Sequence, residues 1–216
     1  MFMLIKNTDA PKCNFCDYSV HERRNQIIAQ TDDFYCVPSI GQICEGGHLM
    51  IIPKKHVSCL GAMEESSFVE FERFVDRIKK AVTDIYQKPI MFEHGIVGQP
   101  TRHAHLQMLP ISTSLDECIT WDFDKKMQLN SIRELAQIYK SGGQYLFSQN
   151  SQGVMHAYTG EQFSQNLRKV VADAVGKSER GDWKTLRANH ERAQHDDVLI
   201  NETVEKLRQA LNAQNK

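Results

Sequence analysis

The chain has 216 residues, with 26 basic and 27 acidic side chains for a formal net charge of −1, and 41% of it is hydrophobic. That is the composition of a globular chain long enough for one domain with a good core, or a domain with a sizeable appendage. Near-neutral charge gives no global reason to expect nucleic acid or an anionic membrane as partner, and even the most charged stretch, 177–197, balances five Lys/Arg against five Asp/Glu.

No apolar run approaches the roughly 20 residues of a membrane span. The first residues, MFMLIKNTDAPKC, have no signal-peptide pattern. Six cysteines in a chain read as non-secreted argue against a disulfide framework, so a cytoplasmic, reducing location is expected.

In chain order, QIIAQ (26–30) and FYCVP (34–38) flank Thr31-Asp32-Asp33 and read as a hairpin. HLMIIP (48–53) is an apolar strand ending at a proline. Across 61–87, Phe68, Phe71, Phe74, Val75, Ile78, Val82 and Ile85 recur at helical spacing among charged residues, which predicts a long amphipathic helix closed by Lys88-Pro89. IMFEHG (90–95) and HAHLQML (103–109) read as two more strands around a Gly/Pro loop. Residues 1–112 thus predict an α+β unit of about five antiparallel strands with one packed helix.

Residues 113–216 form an extension. It reads as an irregular stretch over 113–127, a helix over 129–140 stopped by Ser-Gly-Gly, a hairpin of QYLFSQN and VMHAYTG around Ser151-Gln152-Gly153, and helices over 161–176 and 198–213.

In a strand, alternate side chains share a face, so 103–109 puts His103, His105 and Gln107 on one side and Ala104, Leu106 and Met108 on the other. A row of nitrogen-bearing side chains on a half-buried strand points to chemistry. One isolated histidine would more simply be a surface or core residue; a row of three, stopped by Pro110, is less easily accidental. Cys13-Asn14-Phe15-Cys16 is a C-x-x-C knuckle that could be redox-active, structural or accidental. No thioredoxin-like βαβ pattern surrounds it, which argues against redox use.

H-A-H-L-Q-M-L-P resembles the signature of the histidine-triad (HIT) superfamily, His-φ-His-φ-His/Gln-φ-φ with φ apolar. TDDFYCVPSIGQICEGGHLMIIPKKHV (31–57) resembles the same family's strand, turn, proline-ended strand and Lys/Arg-His-Val block, and FEHG (92–95) the strand before the signature. The resemblance covers roughly residues 13–112. It implies cleavage at the α-phosphorus of a nucleotide through a covalent nucleotidyl-histidine, with His105 as nucleophile and a backbone carbonyl fixing its tautomer.

Gln107 departs from the members that carry a third histidine. An amide cannot act as an acid, but it can donate to a non-bridging phosphate oxygen. The His-x-His-x-Gln form is similar to the galactose-1-phosphate uridylyltransferase and diadenosine tetraphosphate phosphorylase branches, which pass the nucleotidyl group to a phosphate acceptor. A phosphate or sugar phosphate is therefore the expected acceptor beside water.

The resemblance also implies a structural zinc held by Cys13, Cys16, His56 and His103, with His48 and His94 as substitute ligands. Cys36, Cys44, Cys59 and Cys118 are expected to pack as small hydrophobes. Ser39 stands where relatives hold the ribose, and Gly98, Gln99 and Arg102 are expected to contact phosphate. A homodimer is implied too. YLF…GVMHAY…FSQNLRKVVADAVG…DWK has a fainter resemblance to the second half of some longer HIT-like proteins, including RNA lariat-debranching partners, in which His156 and Arg168 would complete the pocket. The rival function is a nucleotide- or RNA-binding adaptor with little turnover.

Overall fold

Eight strands form one antiparallel sheet in a computed structural model that describes residues 13–96, 101–119, 124–160 and 166–214. The elements run α1 (Ser19–Arg23), β1 (Ala29–Gln30), β2 (Phe34–Pro38), β3 (Leu49–Pro53), α2 (Ser67–Ile85), β4 (Ile90–Glu93), β5 (Leu106–Leu109), α3 (Leu115–Cys118), β6 (Lys125–Leu129), α4 (Leu135–Lys140), β7 (Tyr145–Gln149), β8 (Met155–Thr159), α5 (Leu167–Ala174), α6 (Trp183–Ala188) and α7 (His190–Ala213). The order across the sheet is β1-β2-β3-β5-β4-β7-β8-β6. No helix among the described residues is long and apolar enough to cross a membrane.

The α+β class read from the sequence holds. The first 112 residues supply five strands, and the extension adds three to the same sheet, because β7 pairs with the free edge of β4 (Phe92 opposite Ser148). Both hairpin turns are closed by a side chain at their first residue. Thr31 Oγ1 accepts from the Phe34 amide at 3.1 Å, and Asn150 Oδ1 accepts from Gln152 and Val154 at 3.0 and 2.9 Å.

The sheet is covered on both faces. On one, Phe34, Leu49, Leu106, Met108 and Phe147 meet Phe68, Phe71, Phe74 and Ile78 of α2 and Leu207 and Leu211 of α7. On the other, α5 packs Leu167 and Val171 against Phe92, Leu146 and Tyr158, while Phe15 and Tyr18 lie over Tyr35, Val37, Met50 and Ile52. The two covers on this second face are separate, and a cavity lies between them.

Several elements differ from expectation. β6 lies within residues read as irregular and at the start of a predicted helix. It is an edge strand whose residues Lys125, Lys126 and Gln128 are exposed, so it carries little apolar alternation, and its lysines suit an unpaired edge. α7 starts at His190 instead of 198, because Asn189 caps it by accepting from Arg192 at 3.0 Å while its first two turns carry almost no apolar residue. α6 is capped the same way by Asp182. The long helix begins at Ser67, since Leu60–Ala62 forms a separate 3-10 turn.

Glu93 ties β4 to that turn. Its carboxylate is fully buried and accepts from the Leu60 amide at 2.7 Å and from the Tyr145 hydroxyl at 2.7 Å. Burial pushes its pKa up from 4.5 to about 7, against the lowering effect of those two hydrogen bonds. Between pH 4.5 and 7 the folded state therefore holds more of this proton than the unfolded chain does, and stability falls as pH rises through that window. Thermal melts from pH 5 to 8 are expected to decline more steeply for the native chain than for Glu93→Gln, the difference amounting to on the order of 3 kcal/mol. Parallel curves would remove this role from Glu93.

Candidate active site and metal centre

β5 carries the centre of the site. It begins at Leu106, so His103 and His105 lie in the segment leading into it, and the expected row of three side chains divides. Ala104, Leu106 and Met108 enter the α2 side of the core as expected. His105 and Gln107 face a cavity of about 800 Å³, while the His103 ring turns to the N-terminal cysteines.

His105 is 5% exposed. Its Nδ1 lies 2.8 Å from the His103 carbonyl oxygen, which can only accept, so Nδ1 carries the proton and Nε2 is left with its lone pair. Burial, and secondarily the charge of Arg168, holds its pKa below the usual histidine value.

Gln107 is oriented from behind. His48, fully buried, takes the Ile43 amide on Nδ1 at 3.4 Å, so its Nε2–H donates to Gln107 Oε1 at 2.7 Å. Burial keeps His48 neutral, well below the ordinary histidine range. With Oε1 engaged, the Gln107 NH2 group is left for the cavity. His48 is in turn placed by Gln42, whose Oε1 accepts from the His48 amide at 3.0 Å and whose Nε2 donates to the His48 carbonyl at 2.8 Å. His48 is thus a support for Gln107 and lies outside the metal cluster.

The extension closes the cavity. Arg168 on α5 is 6% exposed; it donates to Ser39 Oγ at 2.9 Å and to the Gly41 carbonyl at 2.6 Å. Asp196 on α7 accepts from the amides of Gly41 and Gln42 at 2.9 and 2.7 Å. The turn that positions Ser39 and His48 is therefore gripped by two residues more than 120 positions downstream. His94 also lines the cavity, with Nε2 accepting from the Leu167 amide at 3.1 Å, and burial drops its pKa to about 3. It too lies outside the metal cluster.

Of the expected phosphate contacts, Arg102 is exposed and is not among the residues that line the cavity; Thr101 lines it instead. Gly98 and Gln99 lie outside the described residues. Ser39 lines the cavity, 1% exposed. Arg168 lines it as well, whereas His156 sits 2.7 Å from Asp116 and takes no part in it. Sequence reasoning missed His94 and His48 as site residues, gave Lys169 and Trp183 no role within the stretches quoted for the extension, and passed over Asp196 altogether. Asp196 sits in a run of charges that gives no sign of burial.

Cys13, Cys16, His56 and His103 form the cluster expected from the sequence. Their ligand atoms all lie within 4.8 Å of one another, with Sγ to Nδ1 separations of 3.3 Å for Cys13–His103 and Cys16–His56. Edges of a tetrahedral site with thiolate and imidazole ligands measure about 3.5 Å. His103 Nε2 donates to the Pro53 carbonyl at 2.7 Å, which aims Nδ1 at the cysteines. The donor set and spacing fit a metal ion with four protein ligands.

Residues 4–124 match the family model described as "Protein similar to CwfJ C-terminal". The chain belongs to this family. It is 25% identical over 198 residues to the rice zinc finger CCCH domain-containing protein 59, covering 83% of this chain and 32% of that protein. It is 24% identical over 191 residues to the CWF19-like protein mug161 of Schizosaccharomyces pombe, covering 80% and 34%. The chain spans about a third of the length of these relatives. Among solved structures it is similar to a hypothetical protein from Leishmania major (TM-score 0.45, 22% identity, 62% of this chain and 95% of that one). A Zn-bound histidine triad family protein from Mycobacterium smegmatis is similar at TM-score 0.39 and 17% identity, covering 60% and 91%. These likenesses concern the fold only.

At Gly41 the extension presses directly on the turn that bears Ser39. The φ of Gly41 is +75°, and a Cβ there would lie 2.9 Å from Trp183 Cβ. Gly41→Ala is expected to lower stability by about 1–3 kcal/mol in urea melts, through both backbone strain and collision with α6. A change under about 0.5 kcal/mol would show that α6 yields freely.

Proposed function

We propose that this chain is a nucleotidyl transferase or hydrolase that works through His105. The observation that carries the reading is the His105 Nδ1–H bond to the His103 carbonyl, which leaves an uncharged nucleophilic Nε2 facing an 800 Å³ cavity beside an oriented amide. In the first step the Nε2 lone pair forms a bond to the α-phosphorus, and the bond from phosphorus to the leaving oxygen breaks, that oxygen departing with the electron pair. In the second, water, which gives up a proton to solvent, or an oxygen of a phosphate acceptor attacks phosphorus, the P–N bond breaks, and the lone pair returns to Nε2. Nδ1–H stays on the His103 carbonyl throughout and stabilises the positive charge the ring carries while bonded to phosphorus. Gln107 donates to a non-bridging oxygen as charge develops there.

Because an amide supplies no proton, the reading favours a leaving group that departs as a phosphate-type anion, and it extends to phosphate or sugar-phosphate acceptors. A dinucleoside polyphosphate is a substrate of this kind. A homodimer, if formed, would use a surface other than the β4 edge, which β7 occupies.

Incubation with an α-32P-labelled nucleotide is expected to leave a label on the native chain and none on His105→Ala. Gln107→Ala is expected to become labelled about 100-fold more slowly. Equal labelling of His105→Ala would remove this imidazole from the chemistry. The second reading, a binding adaptor with little turnover, is favoured by the exposed cations Arg24, Lys169 and Lys184 on the cavity wall; it requires tight nucleotide or RNA binding without a label.

The metal is proposed to be zinc in a structural role. Two thiolates and two imidazoles suit it, and four protein ligands leave no open position. Elemental analysis is expected to find one zinc per chain. Cys16→Ser replaces an exposed side chain and should matter little without a metal, so loss of zinc together with a lowered Tm is the expected result. An unchanged Tm would argue against a stabilising ion.

A further inference from the structure

The cavity wall carries charge that the reacting phosphoryl group does not use. Arg24, Arg168, Lys169 and Lys184 all line it. Among the described residues none of these four has a carboxylate within ion-pair distance, whereas Lys177 and Arg180, on the same segment of the extension, both reach Glu45 at 3.2 Å. Among the described residues the only acidic one lining the cavity is Asp182, and its Oδ1 caps α6 through the amides of Lys184 and Thr185. Arg168 is buried, yet its Nε has no hydrogen-bond partner. Asp196 and Asp182 offset the charge of Arg168, but Arg24, Lys169 and Lys184 leave the wall of this void net positive, which favours entry of an anion.

One phosphoryl group bonded to His105 and touched by Gln107 would leave most of that charge unanswered. Three of the four cations lie on α5 and α6. Between Arg168 and Lys184 the same wall carries Trp183, an indole left 37% exposed although a ring of its area ordinarily gains by burial. We infer that α5 and α6 build a second anion subsite beside the reacting centre, formed by Arg168, Lys169 and Lys184 with Trp183 as its apolar wall. The ligand it fits is a nucleotide carrying a second phosphoryl group. The inference rests on the nucleotide site proposed above and deepens it. The second group can extend the 5′-phosphate chain or be esterified to the ribose 2′ or 3′ oxygen; in each case it presents the same anionic oxygens to the guanidinium and ammonium donors.

Titration calorimetry on the His105→Ala chain, which lacks the nucleophile, compares AMP with ADP, adenosine 2′,5′-bisphosphate and adenosine 3′,5′-bisphosphate at two salt concentrations. At least one of the last three is expected to bind about tenfold or more tightly than AMP, and to weaken more steeply as salt rises. Whichever does so identifies where the second phosphoryl group sits. In the double variant Lys169→Gln/Lys184→Gln, both positions being exposed, this preference is expected to shrink to within about twofold. Arg168→Gln is a poorer test, because Arg168 also holds the Ser39–Gly41 turn. Equal affinity for AMP and all three other ligands would overturn the second subsite and leave the nucleotide site standing. No binding of any of the four would remove both. A preference that survives the double lysine change would place the extra charge elsewhere and overturn the assignment.

Discussion

The hydrogen bond from His105 Nδ1 to the carbonyl of His103 is the constraint on which the site depends. It selects the tautomer, and with it which nitrogen is free. Its acceptor is itself held. His103 turns its ring to Cys13 and Cys16 on one side and donates to the Pro53 carbonyl on the other, so the peptide that offers its oxygen to His105 is tied to β3 and to the start of the described chain. The Cys13, Cys16, His56 and His103 cluster thereby reaches His105 without touching it: whatever stiffens the cluster stiffens the imidazole two residues on from His103.

Burial and charge cooperate around that bond. His48, His94 and His105 are each held below the ordinary histidine range, first by removal from water, and the cation Arg168 lowers all three further. The result is a set of neutral imidazoles with fixed donor and acceptor nitrogens beside one permanent positive charge. Neutral rings keep lone pairs for bonding, and the guanidinium supplies attraction for an anion. Three protonated histidines would supply the attraction but lose the lone pairs.

The parts of this arrangement that were legible in the sequence are those with short-range signatures. Alternation through Ala104, Leu106 and Met108 placed the core face of β5, and helical spacing from Phe68 to Val82 placed α2. The Cys13–Cys16 knuckle and the histidines at 56 and 103 were readable through resemblance, and they do converge. What stayed hidden depends on distant contacts. β6 is an edge strand of mostly polar residues, and the first turns of α7 are charged, so neither shows apolar periodicity. Asp196 looks like one more surface acid until α7 docks and its carboxylate meets the amides of Gly41 and Gln42. His48 and His94 could be seen as histidines but not as supports and walls, since those roles are set by partners at Gln107 and Leu167. The break between His103 and His105 was missed because alternation assumes a regular strand, and the backbone becomes one only at Leu106.

The grip of Arg168 and Asp196 on the Ser39–Gln42 turn has a consequence for the order in which the molecule comes into being. During synthesis His105, the His103 carbonyl and the Gln107 amide emerge before Arg168 and Asp196, which fasten the turn, and before Lys169, Trp183 and Lys184, which finish one wall of the cavity. A chain that stops short of α5 therefore carries the His105 ring beside an unfinished wall, without three of the four cations that line the finished cavity. The cavity takes its final shape only when α5, α6 and α7 dock on that turn, so its walls are joined by contacts between residues more than 120 positions apart.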